Sequence, residues 1–151
     1  MYERPYGKHT FRAAMIMREG LMLGSMLNNS ESWINITKSD LEVFEKPDTM
    51  VQRNILTNYG NPSKVFMCLE LGIIPVKYVI IEKRLNFWKY ILDESISSMI
   101  RQVYEALKID SRKGDFVDLI MKDLEEVNID ITEEDIILVK KLDWKYMYIT
   151  L

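Results

Sequence analysis

The chain holds one histidine, His9, and one cysteine, Cys68. Any nucleophile–base pair of the Ser-His-Asp or Cys-His kind must therefore run through His9. That imidazole lies in a stretch without hydrophobic periodicity, residues 1–9, expected to be disordered or extended. One histidine and one cysteine also supply no His/Cys metal cluster and no internal disulfide. Cys68 stands between Phe66 and Leu69 in the apolar phase of a helical pattern, where an inert buried thiol is expected. The six glycines are isolated, so no glycine-rich loop cradles a phosphate. The acidic run Asn128–Asp135 invites a calcium reading, but it lacks the turn glycine and the spacing of a calcium loop. Its carboxylates suit the positive end of a helix dipole instead. No catalytic residue, metal ligand or cofactor site is expected, and with no convergent polar constellation an enzyme is not expected either.

The remaining chemistry is that of cations. Twenty Lys/Arg against 23 Asp/Glu give a net charge of −3, so no global positive field recruits nucleic acid. The imbalance is local. Residues 1–100 carry 12 basic and 11 acidic side chains, residues 101–151 carry 8 and 12. A nucleic-acid surface would therefore use Arg12, Arg18, Lys77, Lys83, Arg84 and Lys89 for phosphates, with Trp88 stacking on bases. The competing reading has these cations solvated, or paired with neighbours such as Glu82.

The elements that must position them are helical. At 151 residues, 48% hydrophobic, with 6 Gly and 4 Pro, the chain is one ordinary globular domain with a real core. It is expected to fold over residues 10–151 as a single helical domain. Thr10 opens a first helix to about Asn28, and Asn28-Asn29-Ser30 reads as a turn before an extended crossing at Trp33–Ile36. Trp33 itself is expected to pack, donating its N–H. Ser39 with Glu42 forms a capping box for a helix to about Asn58, which Pro47 should kink or break near Lys46. Ser63 caps a short helix ending at a left-handed Gly72, and Pro75 fits the first turn of the next, to about Leu92. Ser95 or Ser97 starts another, Asp115–Val127 a further one, and Thr132 with Asp135 caps a last helix, Ile136–Ile149. The fold class is all-α: an irregular bundle of six to seven helices.

The helix 75–92 is expected at the centre. Only Glu82, Asn86, Lys89 and Asp93 form a polar strip on it; nearly every other direction is apolar. Burying that surface contributes about 25 cal/mol per Å2. Lys77 and Arg84 fall within the apolar surface, beside Trp88, and so need a partner or an exit to water.

Several phrases, in order, resemble one family. They are Asn29-Ser30-Glu31-Ser32-Trp33, Asp40-Leu41-Glu42, Arg53-Asn54-Ile55-Leu56 and Leu69-Glu70-Leu71-Gly72-Ile73-Ile74-Pro75. Lys83-Arg84-Leu85-Asn86-Phe87-Trp88-Lys89-Tyr90-Ile91-Leu92 follows, then Lys113-Gly114-Asp115-Phe116-Val117 and Lys122-Asp123-Leu124. Together, over most of residues 10–145, they resemble the segment after the palm in reverse transcriptases of LINE-type (non-LTR) retrotransposons. Pro47 departs from the helix-friendly residue expected at its place. The resemblance implies a non-catalytic, thumb-like helical region that helps hold a template–primer duplex. It does not imply polymerase activity for this chain, which has no Tyr-x-Asp-Asp string and no paired palm aspartates for two catalytic metals.

The resemblance further implies a piece of a longer polyprotein, whose RNA-directed DNA polymerase activity would belong to the parent. The expected partners are an RNA or DNA duplex held weakly and without sequence preference, the reverse transcriptase palm, and a second copy of the chain. The alternative is a helical protein–protein or self-association module without nucleic-acid binding. No membrane partner is expected, since no stretch is long and apolar enough to span. With no leader pattern at the N-terminus, an intracellular place, cytoplasmic or nuclear, is expected.

Overall fold

A computed structural model of the chain describes residues 11–56 and 60–138. Among them the protein is all-helical, with seven helices and no strand. Helix α1 opens as Phe11–Ile16, widens to π-type hydrogen bonding over Met17–Leu23 and closes as Gly24–Met26. Then come a 3-10 turn, Ser30–Ser32, and helices α2 (Lys38–Leu56), α3 (Lys64–Leu71), α4 (Val76–Asp93), α5 (Met99–Ile109), α6 (Phe116–Glu126) and α7 (Glu133–Leu138). No helix among the described residues is long and apolar enough to cross a membrane. Thr10, the N-terminal segment 1–9 and the C-terminal part of the helix expected over Ile136–Ile149 lie outside the described residues.

Local chemistry sets the boundaries. Ser63 accepts the Phe66 N–H at 3.2 Å and opens α3. Gly72 closes it at φ 62°, its N–H donating to the carbonyls of Cys68 and Leu69. Thr132 and Asp135 cap α7 reciprocally, each backbone N–H donating to the other's side chain at 3.2 Å. Asp115 starts α6 by accepting from the Asp118 N–H at 2.9 Å. The Asp118 and Arg112 N–H groups hold the Asp115 carboxyl below its ordinary range.

Four expectations are corrected. The box at the head of α2 is Thr37 with Asp40, not Ser39 with Glu42: Asp40 N–H donates to Thr37 Oγ1 at 3.2 Å, and Thr37 N–H to Asp40 Oδ2 at 2.9 Å. Asp40 is two residues nearer the helix start than Glu42, where its carboxylate reaches the free N–H of Thr37. The cap of α5 is Ser98, which accepts from the Arg101 N–H at 3.3 Å, rather than Ser95 or Ser97. Trp33–Ile36 is no extended crossing, because Asn35 turns the backbone at φ 62°. Of the kink or break expected near Lys46, the break is absent: α2 runs from Lys38 to Leu56 with Pro47 inside it. Asp48 and Gln52, just beyond the proline, are buried and held by other side chains, so tertiary ties override the helix-breaking preference.

The chain divides into two compact units. The first takes residues up to Asn29 and Ile36–Val79; the second takes Ser30–Asn35 and the chain from Ile80 on. The single domain expected over 10–151 is thus organised around two sets of contacts. In the first unit α3 and the π-helical stretch of α1 both pack on α2. Leu27 and Met67 are fully buried there. In the second unit α5 packs on α6, and Leu85, Ile120 and Ile136 are shut off from solvent. The apolar character of α4 appears as burial at Val76, Ile80, Ile81, Leu85, Trp88, Ile91 and Leu92, while Asn86 and Asp93 of its polar strip are exposed.

Candidate functional site

Three of the seven side chains proposed for nucleic acid, Arg18, Arg84 and Trp88, are buried. Arg18 is only 3% exposed and makes a two-pronged pair with Asp48: Nε to Oδ1 at 2.6 Å and Nη2 to Oδ2 at 2.8 Å. Gln52 Nε2 donates to the same carboxylate at 2.8 Å. This triad sits in the first unit, and Arg18 reaches it from the π-helical stretch. There the wide turn is visible at Gly24, whose N–H reaches back to the Glu19 carbonyl.

Arg84 is the counterpart in the second unit. Its Nη1 donates to Asp123 Oδ2 at 2.6 Å and its Nη2 to the Trp33 carbonyl at 3.3 Å. Its Nε is buried without a hydrogen-bond partner among the described residues. Trp88 is buried as well. Its Nε1 donates to the Tyr104 hydroxyl at 2.8 Å, which donates to Glu133 Oε1 at 2.8 Å. Lys108 completes the chain by donating to Glu133 Oε2 at 3.0 Å. Burial, then the hydrogen bond to Glu133, pushes the Tyr104 phenol far above its ordinary range, against the opposing donation from Trp88.

Arg18, Arg84 and Trp88 are therefore corrected. They are internal, because an arginine on an apolar helix face is stable only when a carboxylate neutralises it. They cannot reach a duplex. The cations expected to emerge together at Lys77 and Arg84 do not, since Arg84 is enclosed. Arg12 is exposed on α1, whereas Lys77, Lys83 and Lys89 are half-buried and engaged within the structure. Lys77 Nζ lies 5.7 Å from the Tyr78 ring centroid. Trp33 is half-buried and supplies a carbonyl to Arg84.

Cys68 is half-buried and directs its thiol at Gln52 Oε1, 3.9 Å away. Burial and then the Asp48 charge push that thiol up, away from the reactive thiolate. A cavity of about 220 Å3 lies beside it, lined by Gln52, Val65, Cys68 and Val76 among others.

Two surface features escaped sequence reasoning. Lys38, Lys46 and Arg53 are all exposed on α2, and Lys64 of α3 joins them around a groove of about 630 Å3. Their spacing of eight and seven residues places the first three on one helix face, a signal legible only if α2 continues through Pro47. The second feature is on α3, where Val65 is 70%, Phe66 46% and Leu69 76% exposed. Val43 and Met50 of α2 are comparably open. The apolar interface expected near the last helix falls largely outside the described residues. No family model matches the chain, and neither a curated protein nor a solved structure matches it.

Proposed function

We propose that the chain is a non-catalytic helical module whose work is to dock protein. The observation that carries this reading is the cluster Val65, Phe66 and Leu69 on the eight-residue helix α3. Three large apolar side chains at i, i+1 and i+4 share one open face, where a partner would take them out of water. The enclosure of Arg18, Arg84 and Trp88 weighs on the same side, because it removes the strongest phosphate and base contacts from the surface.

The second reading keeps the likeness to the post-palm region of LINE-type reverse transcriptases and assigns the chain to template–primer binding. It is favoured by the ordered motifs, the all-helical fold and the exposed cations Arg12, Lys38, Lys46 and Arg53. On that reading the palm of the parent polymerase is the protein that α3 meets.

A photo-crosslinking amino acid at position 66, with position 102 as an exposed control, tests the docking reading. Docking predicts nuclease-resistant protein adducts at position 66 well above the control. Adducts no stronger than the control, or adducts that nuclease removes, reject it. Filter binding of a primer–template duplex tests the second reading directly: a complex at low salt that fades steeply as salt rises supports it, and no complex at low salt rejects it.

A further inference from the structure

We propose that the groove along α2 receives the acidic segment around Asp130 of a second copy of the chain, in a head-to-tail contact. The proposal rests on the docking reading and names its partner. The groove is lined by Leu41, Thr49 and Met50, by the cations Lys38, Lys46, Arg53 and Lys64, and by Glu42 and Glu45. Among the described residues Lys38, Lys46 and Arg53 are in no ion pair, whereas Lys64 is taken by Glu45 at 2.6 Å. At 1.5 Å per residue the three open cations span about 22 Å of helix. Long lysine and arginine side chains held open beside Leu41 and Met50 suit an acidic, partly apolar peptide. A phosphate backbone would leave Leu41 and Met50 of the groove uncovered, whereas a peptide with apolar residues would not.

The chain itself carries such a peptide. Glu125, Asp130 and Glu134 are exposed and in no ion pair among the described residues. Ile129 and Ile131, half-exposed, alternate with Asp130 on the stretch that leads into α7. The two units also differ in charge: the first has nine Lys/Arg against seven Asp/Glu, the second eleven against sixteen. Groove and segment are unlike surfaces, so a head-to-tail contact leaves one of each unfilled at the ends of a pair and growth past the dimer follows.

Sedimentation of the full chain over a concentration series tests this. Mass should grow with concentration past the dimer, and added salt should weaken the association because the pairing charges are exposed. Lys46→Glu/Arg53→Glu should weaken it about tenfold, as each surface pair changes from mild attraction to repulsion. Asp130→Lys/Glu134→Lys should do the same, and the two variants mixed in equal parts should regain it. All four positions are exposed, so circular dichroism should show both variants folded.

Three results overturn the proposal: a monomer at every concentration and salt, association indifferent to salt and to both charge reversals, or a mixture that stays monomeric. Competition by a primer–template duplex for the same lysines also overturns it. Association that ignores the groove variants but vanishes in Val65→Asp/Leu69→Asp rejects the groove while leaving the docking reading in place.

Discussion

Asp123→Ala is the sharpest test of how the second unit is held. Arg84 and Asp123 meet at 2.6 Å with side chains only 7% and 11% exposed. Once the carboxylate is gone, the guanidinium retains one long hydrogen bond, to the Trp33 carbonyl at 3.3 Å, and its Nε has no partner. An uncompensated buried charge of this kind costs about 3–5 kcal/mol. That is a large part of the 5–15 kcal/mol or so that typically holds a domain together. With a urea dependence of about 2 kcal/mol per M, the midpoint should fall by about 2 M. The exposed pair Arg112–Asp110, 80% and 76% open, is the internal control, and Asp110→Ala should move the midpoint hardly at all. Urea titration followed by circular dichroism and tryptophan fluorescence measures both. A further arm replaces the pair by apolar side chains, Arg84→Met/Asp123→Leu, and should recover most of the loss, because no charge is then stranded. The reasoning is refuted if Asp123→Ala shifts the midpoint no more than the control, or if the double variant is worse than either single one.

Other expectations follow from the same geometry. Tyr104→Phe removes a buried hydroxyl that joins Trp88 to Glu133 and should cost about 1–3 kcal/mol by urea titration. Because the native phenol is held well above its unfolded value, its contribution is complete below about pH 10 and lost as the pH rises beyond, so the wild-type advantage over Tyr104→Phe should shrink in alkali. Pro47→Ala should raise thermal stability, by up to about 3 kcal/mol, since α2 already runs through the site and alanine restores the missing N–H; a lower melting temperature would contradict this. Gly72→Ala should cost about 1–2 kcal/mol, because φ is 62° there although nothing crowds the added methyl, and a neutral substitution would show that the turn relaxes.

What the sequence made legible was local. A cap and its partner stand three residues apart, so Ser63, Gly72 and the Thr132–Asp135 box could be read from neighbours alone. The same rule failed at α2 because two overlapping boxes, Thr37/Asp40 and Ser39/Glu42, compete for one helix start and only the full geometry chooses. The apolar breadth of α4 matches the burial of Val76, Ile80, Ile81, Leu85, Trp88, Ile91 and Leu92, and of the partner or exit to water expected for Arg84 the fold supplies a partner. Which partner it took lay 39 residues away, and Asp48 lies 30 residues from Arg18; no periodicity encodes such pairings. Treating the arginines as surface cations followed from counting charges without knowing which carboxylates the fold would bring to them. Expecting a kink or a break at Pro47 left the continuous face of Lys38, Lys46 and Arg53 unread, and with it a basic groove of the first unit.

Ser30–Asn35 belongs with residues that are made some fifty positions later, although the chain on both sides of it belongs elsewhere. During synthesis the ribosome therefore delivers a short piece that must wait, unmatched, until Arg84 emerges to meet the Trp33 carbonyl. A cut at residue 79 would not yield two self-sufficient halves, because the later half would lack this insert and the earlier one would carry it idle. Pieces separated at that point should complement each other when mixed, and neither should reach native stability by itself.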